Sequence, residues 1–180
     1  MTKRASKPLL LAGAAIAALT GASLVNFSPS IIWNASASAP IGLYTVKNAS
    51  PTFGDYVLVE PAKPVRNLIE QRGYLPPETP LVKRVAAMSG QEICRIDDKI
   101  LIDKTIVAYA LVEDSLGRPM PVWRGCMTLK KTQLFLLNDH EKSLDGRYFG
   151  ATMMIDIIGV AEPVWVQHER PVALAETFNK

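Results

Sequence analysis

Residues that bind metals or carry redox chemistry are scarce in this sequence. There are two cysteines, Cys94 and Cys126, and two histidines, His140 and His168, in 180 residues. They form no Cys-x-x-Cys pair and no Cys/His cluster, so a zinc site, which gathers several such ligands, is excluded. No cofactor is expected. Charge of one sign is also in short supply. The net charge of +3 is mild and gives no reason to expect nucleic acid as a partner. Internal repeats and low-complexity tracts are absent. Disorder is excluded as well, because 48% of the residues are apolar, enough for a packed core.

One stretch lacks charge altogether. Residues 8–27 contain no Asp, Glu, Lys or Arg, and Lys3, Arg4 and Lys7 stand just before them. About 20 apolar residues span a bilayer as a helix, and flanking basic residues favour the cytoplasmic side. Residues 1–28 therefore read as a membrane anchor or a cleaved signal segment, with Ala35-Ser36-Ala37 resembling a cleavage site. A buried core helix is the third reading. Residues 29–180 are then expected to form one domain in the periplasm or at the cell exterior. In that oxidising setting Cys94 and Cys126 can pair, a bridge worth roughly 3–4 kcal/mol on the chain-entropy model. The other reading is two inert buried thiols.

Beyond residue 40 the pattern is of short strands, at residues 43–46, 56–60, 81–86, 92–96, 100–103, 133–137 and 154–160. Asp97-Asp98 reads as a tight hairpin turn. Residues 67–72 read as a short helix closed by Gly73, and the tail after Pro163 is polar and ambiguous. Such a sequence predicts a compact, mainly antiparallel β domain.

Three segments carry candidate chemistry. The first runs from Asn34 through Ser36 and Ser38 to Pro40, Gly42 and Tyr44. Two serines two residues apart share a face of an extended chain, so one can attack a carbonyl while the other donates to the developing oxyanion. A Ser/Ala-rich linker beside a membrane is the commoner meaning of such a segment. In the second, Lys83 shares a strand face with Leu81 and Val85, and Arg84 points the other way. A lysine on an apolar face loses part of its affinity for the proton and can serve as a base. The plainer alternative is a strand-edge lysine with its ammonium in water. The third segment, residues 138–150, is densely polar after an apolar strand. In it Ser143 and Asp145 are placed to orient an amine, and Arg147 to pair with Asp145.

Together these segments resemble the serine–lysine signal peptidase family. Its pattern is a serine just after a membrane segment, a lysine in a Lys-Arg-Val strand, and a late Ser-x-Asp-x-Arg motif ending in Gly. Here these are Ser38, Lys83-Arg84-Val85, and Ser143, Asp145, Arg147 and Gly150. The run from Ser38 to Tyr44 is similar to the conjugative-transfer (TraF-type) branch. Gly146 departs from the motif, which often has Ser there, and residues 138–140 match the leader-peptidase Gly-Asp-Asn stretch only loosely.

The resemblance implies a compact antiparallel, barrel-like β fold with Ser38 as nucleophile and Lys83 as general base. It makes Ser143 and Asp145 supports of the lysine, Arg147 the support of Asp145, and the Ser36 hydroxyl with the Ser38 N–H the oxyanion donors. It implies an extended substrate paired with the Lys83 strand edge, small side chains preferred, and a pilin or other exported precursor processed at the inner membrane. Product cyclisation and simple hydrolysis both remain open. So do a general signal peptidase and a non-enzymatic periplasmic subunit of a conjugation or secretion complex. A Ser38–His140–Asp145 triad fits less well, since His140 and Asp145 share one loop and Lys83 is left without a task.

Overall fold

The computed structural model describes residues 11–13, 16 and 30–167. Most of the apolar stretch, and His168, lie outside the described residues. No helix among the described residues is long and apolar enough to cross a membrane.

Two antiparallel sheets make up the domain. The larger contains β1 (Ile31–Asn34), β2 (Gly42–Lys47), β3 (Tyr56–Val59), β4 (Leu81–Ala87), β9 (Gln133–Leu136), β10 (Thr152–Met153) and β11 (Ile157–Val166). Its order is β1-β2-β11-β3-β4-β9-β10, so it stays open, with β1 and β10 as its outer strands. The smaller sheet is β7-β6-β5-β8, built from β5 (Glu92–Ile96), β6 (Lys99–Ile102), β7 (Thr105–Tyr109) and β8 (Gly125–Thr128). The expected mainly β, antiparallel architecture is present.

Local chemistry explains the elements. Asp97 and Asp98 connect β5 to β6 as a two-residue hairpin, and Asp97 takes the left-handed φ of 56° that such turns need. Helix α1 (Lys63–Arg72) has Pro64 in its first turn, where a missing N–H costs nothing, and ends at Gly73 in the left-handed conformation. It starts four residues before the expected helix. Alternating apolar residues of β3, β4 and β9 pack as one core cluster around Val57, Val85 and Leu136. A second cluster joins the smaller sheet to the loop after β9 through Ile93, Ile100, Phe135 and Tyr148. Cys94 and Cys126 face each other across β5 and β8, and their sulfurs are bonded.

Candidate active site

Asn34 shapes the serine segment. Its side chain is buried at the end of β1, and its amide nitrogen donates to the carbonyls of Ser36 (3.0 Å), Ala39 (3.1 Å) and Pro40 (3.0 Å). Its amide oxygen accepts from the Ser36 N–H at 3.1 Å. Tyr44 adds a second hold, donating its hydroxyl to the Pro40 carbonyl at 2.6 Å. Burial, helped by nearby Tyr56, pushes the Tyr44 phenol up to about 12, so it stays a donor. Residues 36–39 therefore form a turn, with the Ala39 N–H directed to the Ser36 carbonyl, and not the expected extended run. The two hydroxyls meet all the same, Ser36 Oγ lying 3.0 Å from Ser38 Oγ. The Ser38 N–H points at Ser36 Oγ over a longer 3.4 Å.

Strand β4 supplies the lysine. Lys83 pairs with Val57 of β3 and turns its side chain inward, where it is 4% exposed. Its Nζ donates to Ser143 Oγ at 3.0 Å and to Ser38 Oγ at 3.4 Å. Burial lowers the ammonium's pKa from 10.5 to about 8; Asp145 pulls it back up and Arg147 pushes it down. Arg84 points outward and meets Asp139 at 3.6 Å.

The loop after β9 is held by a buried polar network. Asp145 accepts from Arg147 Nη1 at 2.6 Å, from the Asn138 N–H at 3.1 Å and from the Arg147 N–H at 3.1 Å. Arg147 Nη2 donates to the Asn138 carbonyl at 2.8 Å. Asp145 also starts the one-turn helix α2 (Gly146–Phe149). Its carboxylate is thus spent on Arg147 and Asn138, and it is not joined to His140, whose Nδ1 accepts from the Lys142 N–H. Asp145 reaches the lysine through its field, while Ser143 touches it. Gly146 has a steric cause: a Cβ there would lie 2.6 Å from the Phe135 ring and 2.7 Å from the Leu136 carbonyl. This loop packs too tightly on β9 for the Ser that the motif often carries.

Three residues outside the expected set build the site. Asn34 folds the serine turn. Asn138 bridges the loop to β4, accepting from the Arg84 N–H at 2.9 Å and donating to the Val82 carbonyl at 3.1 Å. Arg95 reaches over from the smaller sheet and donates to the Arg147 carbonyl at 2.6 Å. An Asn at the end of a short apolar run, and another closing β9, were the available signals. Nothing near Arg95 marks it in the sequence.

The expected strand edge is corrected. β4 lies inside the sheet, between β3 and β9. Its pairing with β9 covers Val85 to Ala87, and the Asn138 side chain replaces that strand at Arg84 and Val82. Only the start of β4, near Leu81 and Val82, extends past these partners. That short edge borders a cleft of about 920 Å³ lined by Ile32, Trp33, Ser36, Ser38, Leu81 and Lys83 among others. A second cleft, of about 800 Å³, meets Ser38 from the other side along Ala37, Ile41, Tyr56, Asp139 and His140. Among the described residues, the one grouping of metal-ligand types is Glu92, Cys94 and Cys126, whose two sulfurs are bonded to each other.

Known proteins share sequence with this chain along most of its length. A family model described as signal peptidase, peptidase S26, matches residues 5–166. The plasmid transfer protein TraF of Escherichia coli is 34% identical over 167 residues, covering 87% of this chain and 88% of that protein. The conjugal transfer protein TraF of Agrobacterium fabrum is 34% identical over 170 residues, covering 87% and 90%. A signal peptidase I from Enterococcus faecalis, known from its crystal structure, aligns with a TM-score of 0.37 at 17% identity, over 63% of this chain and 98% of its own. Matched along most of its length by the family model, and sharing about a third of the aligned residues with the two TraF proteins, the chain belongs to the signal peptidase family, peptidase S26, in its TraF-type branch.

Proposed function

We propose that this chain is a membrane-associated serine endopeptidase that works through Ser38 and Lys83 and processes a pilin precursor for conjugative transfer. The observation that carries the proposal is the position of Lys83 Nζ, buried between Ser38 Oγ and Ser143 Oγ. With a pKa of about 8, roughly one tenth of the lysines are neutral at pH 7, against about one in 3,000 at the unperturbed 10.5. Burial thus enlarges the pool of active base about three-hundredfold, while leaving the amine basic enough to remove a serine proton.

In the proposed mechanism Lys83 takes the Ser38 proton as Oγ attacks the scissile carbonyl. The carbonyl oxygen becomes an oxyanion received by the Ser36 hydroxyl and the Ser38 N–H, both of which must turn from each other towards it. Lys83 returns the proton to the leaving amine. Water, or an amine of the substrate itself, then releases the acyl group, giving hydrolysis or cyclisation. The conjugative role and the pilin substrate rest on the likeness to the TraF proteins. The periplasmic setting is supported by the disulfide, which persists in oxidising compartments.

The test is to incubate membranes carrying the protein with a pilin precursor, and with a panel of exported precursors, and to weigh the products. Cleavage confined to the pilin is expected. Cleavage of the whole panel would favour a general signal peptidase. Ser38→Ala and Lys83→Ala should each stop processing, and Lys83→Arg should stop it too, because a guanidinium stays charged. Turnover by either Lys83 variant at the wild-type rate would exclude the lysine base.

A further inference from the structure

The loop that carries Asp145 is gripped from behind by the smaller sheet and the chain leading into it. Arg95 lies in β5 and is buried. Its Nη1 donates to the carbonyls of Arg147 (2.6 Å) and Pro121 (3.1 Å), and its Nε to that of Asp97 (3.2 Å). Trp123, just before β8, donates its indole N–H to the Gly146 carbonyl at 3.0 Å and packs edge-on against Phe135. The carbonyls of the first two residues of α2 are thus held by two side chains. One follows Cys94 in β5, and the other precedes Cys126 in β8.

The disulfide fastens these two grips to each other. β8 pairs with β5 over four residues, has no second neighbour in its sheet, and is exposed along its whole length. Leu129, just past β8, is buried and anchors that end in the core. The opposite end, which leads back to Trp123, relies on the ladder and on the Cys94–Cys126 bond. Cys94 is buried but Cys126 is exposed, so an attacking thiolate can reach the bond. We propose that the Cys94–Cys126 bond is a redox switch on the active site, which keeps Arg95 and Trp123 where they close the Asp145 loop on Lys83. The switch rests on the Ser38–Lys83 peptidase reading and concerns its regulation. Reduction adds two electrons and two protons to the sulfur pair, giving two thiols, while the dithiol that supplies them closes into a disulfide. The grips on Gly146 and Arg147 then slacken, and water reaches Lys83. Burial is the largest cause of that lysine's lowered proton affinity, and Asp145 and Arg147 act on it with opposite signs. Loosening the loop moves both charges together, so loss of burial decides, and fewer lysines are neutral at pH 7. Exchange with a disulfide-bearing oxidant outside the cytoplasm reverses the step, so full activity appears only where the bond can form.

The experiment follows kcat/KM against pH for the full chain in detergent, acting on a pilin precursor. It compares oxidised enzyme with enzyme in excess dithiothreitol, and records the circular dichroism of each. The oxidised enzyme should cleave with an inflection near 8. The reduced enzyme should stay folded, with its inflection raised by about one unit and its rate at pH 7 about tenfold lower. It should regain the oxidised rate above about pH 10, where the lysine is neutral in both forms. Trp123→Phe keeps a ring but loses the N–H, and in oxidised form it should move the inflection the same way. Equal pH profiles for oxidised and reduced enzyme overturn the proposal and leave the Ser38–Lys83 reading intact. Reduced protein that unfolds also overturns it, since the bond is then a staple and not a switch. So does an unchanged profile for Trp123→Phe. Oxidised enzyme that cleaves no precursor sinks both readings.

Discussion

At the scale of single residues, Lys83 sets activity against stability. A lysine whose folded pKa lies below its unfolded value costs stability wherever both states are protonated, that is, below about pH 8. A drop from 10.5 to about 8 corresponds to about 3 kcal/mol at pH 7. The cost fades as pH rises from 8 towards 10.5, where the unfolded lysine also loses its proton. Lys83→Met should therefore abolish cleavage yet raise resistance to denaturant at pH 7, by about 1–3 kcal/mol once the lost Ser143 bond is set against the relief. The gain over wild type should shrink by pH 10. Unfolding curves of the two proteins at both pH values check this, and a variant less stable than wild type at pH 7 would contradict it. In the enzyme itself, kcat/KM should climb with pH through an inflection near 8.

Ser36 belongs to the same scale. It was legible only as a small serine near another, and the share-a-face argument that singled it out is not what joins the pair. The turn folded by Asn34 does that. If Ser36 Oγ receives the oxyanion, Ser36→Ala should cut kcat by about 10²–10³ and change KM little, since the bond strengthens only as charge develops. Ser36→Thr, which keeps the hydroxyl, should retain more activity. Steady-state kinetics of both variants decide the point, and a wild-type kcat for Ser36→Ala leaves the oxyanion to backbone donors.

At the scale of elements, the strands that the sequence predicted are those with an apolar face against the core: β2 to β6, β9 and β11. Those it hid are exposed along most of their length. β7 and β8 bury almost nothing, so no alternation marks them, and β8 is placed by its ladder to β5 and the Cys94–Cys126 bond. β1 was not among the predicted strands: it is four residues long and buries only Asn34, too little to show an alternation. Lys83 was legible as a polar group on an apolar face, between Leu81 and Val85, and Ser143 and Asp145 as members of a densely polar run after an apolar strand. The scaffold that aims them was not: Asn138 and Arg95 act by bonding backbone groups far away in the chain, and Asn34 by gathering carbonyls of the turn just after it. Gly146 tests how tightly that scaffold is fitted. Gly146→Ala places a methyl within 2.6–2.7 Å of Phe135 and the Leu136 carbonyl. Because the carbonyl belongs to a paired strand and cannot easily yield, the variant should lose about 1–3 kcal/mol of stability. Activity should fall with it as α2 and Asp145 shift. Denaturant unfolding together with turnover would reveal a variant that tolerates the methyl, which would mean the loop is looser than these distances imply.

At the scale of the whole molecule, the groups around Ser38 come from the larger sheet and its loops, whereas the disulfide lies in the smaller one. The two halves communicate through Arg95, next to Cys94 in β5, whose guanidinium holds the Arg147 carbonyl. Cys94 and Cys126 should resist alkylation in the native protein until it is reduced. Replacing both with alanine should lower stability by roughly 3–4 kcal/mol, on the chain-entropy estimate for a bridge closing a loop of this size. Thiol labelling with and without reductant, followed by thermal unfolding, checks both statements. The bond also encloses everything between residues 94 and 126, including a stretch with Val112 and Leu116 about three quarters exposed. A cut in that stretch would sever the backbone without separating the pieces. Nicked protein would run as a single full-length band on a non-reducing gel and split into two only when thiol is added, so intactness judged without reductant would be overstated.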